Sequence, residues 1–354
     1  MTSPDQDSRH FSLLSNGGAR TSKRLVFSYV LDWVVIIVLA IAGAILYKIT
    51  GSQHAFSLDD PNISYPLTTN TVSIVTVGIV AFAVPAVVIA VLSLLVPGPW
   101  NRRLWEWHAG WLGLGLSLAG AFFITSGLKD VVGKPRPDLL ARCQPDLTKI
   151  STYAVGGLGL QRTESPVIVS VGICTNTDTS TVKNGFASFP SGHSSFSWSG
   201  LLYLSLWLGA KFAVTVPAPP STNNVRGVDA TRPRQSTAAP PLYLLVLVAA
   251  PVAGAVYICG SRYSDYMHAG WDILGGSIIG IAFAILGFFW YHAPSGPGWA
   301  WGARSRSNAF GVRFGARGFG KQARPGSRVD GDGYEDVELG AFHDPQRELR
   351  IANP

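Results

Sequence analysis

The sequence predicts an all-α fold, a polytopic membrane protein with six transmembrane helices. Three observations carry that prediction. Of 354 residues, 47% are hydrophobic and only 14% charged, against roughly a quarter charged in soluble domains. Six apolar runs are long enough to cross a bilayer, which takes about 20 helical residues. Trp and Tyr gather at span ends (Trp105, Trp107, Trp290, Tyr291), as interfacial belts do.

The six runs fall at roughly 25–47, 73–96, 107–128, 189–210, 241–260 and 269–291. Pro85 and Pro251 sit inside spans, where neighbouring helices can satisfy the carbonyls a proline frees. Gly276 and Gly280 form a small-xxx-small pair, a helix-packing face. The polar residues 1–24 precede the first span as a cytosolic tail and show no cleavable leader pattern, so that span reads as an uncleaved anchor. Residues 25–291 form the membrane domain. Residues 292–354 are Gly- and Arg-rich, then acidic, and read as a disordered cytosolic tail. The 213–240 segment, rich in Pro, Thr and Ser, reads as a linker.

The net charge is +7. Its placement argues against a nucleic-acid partner and for a membrane one. With the N-terminus cytosolic, cytosolic segments hold nineteen Lys and Arg and the opposite side nine, so the positive-inside rule puts both termini in the cytosol. Three cysteines are too few for a disulfide scaffold, and no zinc spacing occurs. Cys143 and Cys174 share the long outer loop, where an oxidising compartment allows a bridge; a bridge and two free thiols both remain open. Cys259 reads as a buried thiol. The Asn62-Ile63-Ser64 sequon lies on the same outer side.

Three motifs sit at span ends on that side. They are Lys129-Asp130-Val131-Val132-Gly133-Lys134-Pro135-Arg136-Pro137, then Pro190-Ser191-Gly192-His193, then Ser261-Arg262 followed by His268 and Asp272. Breaking a phosphate ester needs cations for the non-bridging oxygens, a nucleophile, and an acid for the leaving alkoxide. Lys129, Arg136 and Arg262 are the cations, Arg forking two oxygens and Lys acting as a point charge. Pro190 to His193 open the fourth span, and a helix N-terminus is a ready anion site. Ser191 adds a hydroxyl or caps the helix, and Gly192 lets oxygens approach the backbone. His268 and Asp272, four apart, share a helix face; an Asp accepting the Nδ1 proton would leave Nε2 as nucleophile. His193, opposite, is the general acid. Gly133, Pro135 and Pro137 end the third helix before Arg136. Lys134 reads as a snorkelling charge outside the site, and no role follows from the spacing of Asp265. No Walker loop occurs and no Asp/Glu cluster lies near the motifs, so no metal and no cofactor is expected.

Together these residues resemble the signature of the type 2 phosphatidic acid phosphatase superfamily, all three parts in order. The six spans are similar to its integral-membrane branch, the lipid phosphate phosphatases, and the wording Phe189 to Ser195 and Ser261 to His268 is most similar to the fungal diacylglycerol pyrophosphate phosphatases. The resemblance covers roughly 25–291 and leaves the 138–188 loop outside it. It implies the superfamily's phosphatase/haloperoxidase-like helical core and Mg²⁺-independent dephosphorylation through a phosphohistidine. His268 would be the nucleophile, Asp272 its orienting partner and His193 the acid, with Lys129, Arg136, Ser191, Gly192 and Arg262 on the phosphate. The substrates implied are phosphatidate, diacylglycerol pyrophosphate or lysophosphatidate at a lumenal or outer leaflet. Two rivals are a phosphatase for sphingoid-base phosphates or isoprenyl diphosphates, and a non-catalytic phospholipid binder or transporter.

Overall fold

A computed structural model describes residues 23–95, 100–162, 165–212, 214, 241–293 and 302–303. The chain divides into units 1–305 and 306–354, and all described residues belong to the first. Residues 1–22 of the expected N-terminal tail, all of the 213–240 linker but residue 214, and nearly all of the C-terminal tail lie outside them; Lys23 and Arg24 open the first helix instead. The exception is a two-stranded ladder just past the last span, His292–Ala293 against Gly302–Ala303.

Among the described residues six helices have 20 residues or more. They are α1 (Lys23–Lys48), α2 (Ile74–Leu95), α3 (Trp100–Val132), α4 (Gly192–Lys211), α5 (Leu242–Ser264) and α6 (Gly270–Tyr291). They match the expected spans closely; α3 runs further at both ends. Five of them are long and apolar enough to cross a membrane by length and composition. The exception is α4, where Ser194, Ser195, Ser197, Ser199 and Ser205 dilute the hydropathy. These serines are tolerable because α4 packs at the centre, against α2, α3, α5 and α6. Ser195, Ser197 and Ser199 donate to carbonyls three residues back in their own helix. Ser205 Oγ donates to Val248 O on α5 at 2.7 Å. The other helices expose rows of Val, Ile and Leu, such as Val34, Ile37 and Ile41 on α1, the outward face expected against lipid rather than water.

Local sequence explains the irregularities. In α2 a wider π turn at Ile79–Ala83 comes just before Pro85. Proline's ring would clash with the carbonyl four residues back, and the widened turn avoids that. Gly133 takes φ +55° directly after α3, the left-handed C-terminal stop that glycine adopts cheaply. Gly276 and Gly280 are the α6 face crossing α4: a Cβ at either would lie 2.4 Å from Ser191 O or Ser195 O. Small residues here bring α6 directly onto the start of α4.

The 138–188 segment is not an open loop. Its strands β2 (Ala154–Gly156) and β3 (Ile168–Val169) form a three-stranded sheet with β1 (Phe56–Ser57), in the order β1-β3-β2. A small core of Phe56, Leu139, Val169, Ile173, Val182 and Phe186 lies beneath it. Cys143 and Cys174 are disulfide-bonded, with Cα atoms 4.6 Å apart, which settles the alternative left open above. Cys259 is a buried free thiol. Replacing both bridged cysteines by serine should destabilise this region by about 2–4 kcal/mol, the usual worth of a bridge closing a loop of this size. A thermal melt of the detergent-solubilised variant checks it.

Candidate active site

Lys129, Arg136, Gly192, His193, Arg262 and His268 line one cavity of about 710 Å³, and none of its lining residues is a carboxylate. The three motifs therefore converge. Ile74, Val77, Phe122 and Phe196 form an apolar part of the same wall.

His268 sits in the turn between α5 and α6, before α6 begins. It does not share a helix face with Asp272 as the four-residue spacing suggested. Its Nδ1 lies 2.7 Å from Ser188 O. A carbonyl can only accept, so Nδ1 carries the proton and Nε2 keeps its lone pair. The orienting partner of the imidazole is thus a backbone carbonyl and not the Asp272 carboxylate. Burial, then the charges of Arg136 and Lys129, push His268 well below the ordinary histidine pKa, so the ring is neutral at neutral pH.

Asp272 is fully buried and lies outside the cavity wall. Its Oδ1 accepts from Lys134 Nζ at 2.7 Å. Its Oδ2 accepts from Ser188 Oγ at 2.6 Å and from the Ala269 backbone N–H at 3.0 Å. Asp272 thus caps α6 at its third residue, as a capping-box acid does, and pins the residue whose carbonyl holds His268. Its own carbonyl accepts from Ser191 N at 2.9 Å. Lys134, read as a snorkelling charge, is instead the counter-ion of this carboxylate; a carboxylate removed from water needs one.

Of the two roles open to Ser191 in the sequence, the structure shows the helix cap and not the cavity hydroxyl. Ser191 is fully buried, does not line the cavity, and caps α4 by accepting from Ser194 N and, at 3.1 Å, from Ser194 Oγ. Gly192 and His193 form the wall there. His193 has its ring held by the Val72 backbone, and its buried Nε2 has no hydrogen-bond partner among the described residues. The buried Arg136 Nε likewise has none among them. Lys129 Nζ donates to Ala187 O at 3.0 Å, and Arg136 Nη1 to Met267 O at 3.2 Å. Burial and the neighbouring Arg142 charge lower Arg136 to about 10, so it stays positive at neutral pH. Cationic oxygen-binding groups, a neutral imidazole with a free lone pair and a second imidazole with a free Nε2 are the parts that phosphoryl transfer requires.

A family model described as the PAP2 superfamily matches residues 110–295. The chain belongs to the PAP2 superfamily. Lipid phosphate phosphatase 2 of Arabidopsis thaliana is 30% identical over 273 residues, covering 77% of this chain and 80% of the relative. A PA-phosphatase related-family protein of Dictyostelium discoideum is 31% identical over 276 residues, 77% of this chain and 72% of the relative. Diacylglycerol pyrophosphate phosphatase 1 of Saccharomyces cerevisiae is 28% identical over 263 residues, 73% and 77%. No solved structure matches the chain.

In this PAP2 protein two carboxylates outside the cavity organise it. Asp272 is one. Asp265, which had no role by spacing, is the other. Its Oδ2 accepts from Arg262 Nη2 at 2.8 Å and from Thr71 N at 2.9 Å, and its Oδ1 from Thr71 Oγ1 at 2.6 Å. Arg262 also donates to Asn70 Oδ1 at 2.8 Å. Asp265 thus ties the segment before α2 over the cavity and aims the guanidinium. Asp265→Asn should raise KM about tenfold with a smaller change in kcat, since it loosens a candidate anion-binding group, Arg262, and leaves the His268 imidazole in place; steady-state kinetics checks it. Thr125, Ser126, Asn70 and Arg142 also line the cavity and went unnoticed in the sequence. Thr125 and Ser126 lie four and three residues before Lys129 on α3, and that spacing could have found them. Asn70 and Arg142 carry no such signal.

Proposed function

We propose that this chain is a lipid phosphate phosphatase, a phosphoric monoester hydrolase acting on phosphatidate, diacylglycerol pyrophosphate or lysophosphatidate. The observation that carries the reading is a single cavity lined both by the cations and the two histidines and by the apolar side chains of Ile74, Val77, Phe122 and Phe196. A headgroup and an acyl chain fit those two linings.

In this reading Lys129, Arg136, Arg262 and the α4 N-terminus hold the non-bridging oxygens. His268 Nε2 attacks phosphorus, the ester P–O bond breaks, and His193 gives its proton to the leaving oxygen. His193 then takes a proton from water, which attacks phosphorus and breaks the P–N bond, releasing orthophosphate and free His268. The positive charge around the phosphate comes from the chain's own side chains, which supports a metal-independent reaction. The nineteen-to-nine division of Lys and Arg and the Cys143–Cys174 bridge support a site on the lumenal or outer side, with cytosolic termini.

The test is purified protein in mixed micelles with each of the three glycerolipids, a sphingoid-base phosphate and an isoprenyl diphosphate, with EDTA present. Orthophosphate release from at least one glycerolipid, unaffected by EDTA, is expected. Activity lost to EDTA and restored by Mg²⁺ would sink the metal-free mechanism. No glycerolipid turnover would sink the substrate class.

A further inference from the structure

Arg142 is a cavity cation that belongs to none of the three motifs. It lies in the short helix Leu139–Cys143, next to the bridged Cys143, so the disulfide-braced 138–188 region puts it there. One edge of its guanidinium is committed: Nε and Nη2 fork onto Asp138 at 2.8 and 2.5 Å. Nη2 also meets Met267 Sδ at 3.3 Å. Its Nη1 has no hydrogen-bond partner among the described residues, although the residue is only 9% exposed and lines the cavity. Asn184 lines the same cavity, and its side-chain amide makes no hydrogen bond among the described residues. Gly185, the residue after Asn184, packs against Arg142: a Cβ there would lie 3.4 Å from Arg142 Cδ.

Arg136 approaches the same sulfur, with Nη1 3.8 Å from Met267 Sδ. Two guanidiniums therefore flank one thioether with no carboxylate in the cavity wall. Asp138 balances Arg142 on one edge only. The three motif cations and the α4 N-terminus already match the two charges of one phosphoryl group. A fourth cation beside Arg136, with a free donor and with a free amide in the same cavity wall, matches a further anionic group attached to the first.

We propose that Arg142 and Asn184 form a second anion subsite, one that favours diphosphate esters over phosphate monoesters. The proposal rests on the lipid phosphate phosphatase reading and names the substrate feature that the site selects. Arg can fork phosphate oxygens while still holding a carboxylate on its other edge.

The test compares kcat/KM for two matched pairs: diacylglycerol pyrophosphate against phosphatidate, and an isoprenyl diphosphate against its monophosphate. The double variant Arg142→Gln/Asp138→Asn exchanges the buried ion pair for an amide pair and strands no charge. It should lower the diphosphate-to-monoester ratio about tenfold or more in both pairs. Asn184→Leu touches no ion pair and should shift the ratio the same way by about threefold; it decides the matter if the double variant fails to fold. Ratios unchanged within twofold, or both activities falling together, overturn the subsite while leaving the phosphatase reading standing. Wild-type protein inactive on every lipid phosphate overturns the phosphatase reading itself.

Discussion

His268→Ala should abolish turnover, with kcat falling by about 10⁴-fold or more, while the bundle still folds. The ring is buried, but its only hydrogen bond among the described residues, from Nδ1, ends on the Ser188 carbonyl, so truncation unpairs one acceptor and strands no charge. A ³²P-labelled substrate should leave an acid-labile label on the wild-type protein and none on the variant. Phosphatase activity within tenfold of wild type would remove His268 from the chemistry. The same residue makes a second measurable contribution. Burial holds its folded-state pKa well below the ordinary histidine value of 6.5, so on acidification the unfolded chain takes up a proton there before the folded chain does. Stability attached to this group is therefore present above about 6.5 and lost as pH falls through that value. The melting temperature of His268→Ala should drop less than that of wild type between about pH 7 and pH 5.5.

Asp272→Asn should cost about 10- to 100-fold in kcat, far less than the roughly 10⁴-fold that follows when a carboxylate bonded directly to a catalytic imidazole is made an amide. The reason is the indirect path. An asparagine oxygen at the Oδ2 position can still accept from Ser188 Oγ and Ala269 N, so the Ser188 carbonyl stays near its place. What is lost is the Lys134 ion pair, and Lys134, whose side chain is 37% exposed, can turn to solvent. Asp272→Ala removes every acceptor and should destabilise the fold by about 2–4 kcal/mol, leaving Ser188 Oγ and the Ala269 N–H without their acceptor. Kinetics and melts on the two variants separate these effects. A 10⁴-fold loss in the folded Asn variant would mean that Asp272 bonds His268 directly once substrate is bound.

Much of this was legible in the sequence because long apolar runs and fixed motif spacings are local signals. All six long helices fall where hydropathy put them, and Lys129, Arg136, Gly192, His193, Arg262 and His268 share one cavity as their positions at span ends required. The partners of polar groups were less legible, because they depend on backbone atoms far away in the chain. Asp272 and His268 meet Ser188, some 80 residues upstream, through its hydroxyl and carbonyl respectively, and no spacing rule predicts that division. Lys134 and Asp265 took on roles for the same reason. The 138–188 region read as a loop because strands of two or three residues leave no periodicity to detect. Its fold rests on a bridge and a small core that appear only in three dimensions.

The serine-laden α4 has a consequence for biogenesis. A segment too polar for lipid to retain alone cannot be threaded and parked like its neighbours during synthesis; it must be captured by helices already in the bilayer. Because His193 rides on that segment, insertion and maturation become one step: a chain that stalls before its helices associate also never brings His193 to the cavity.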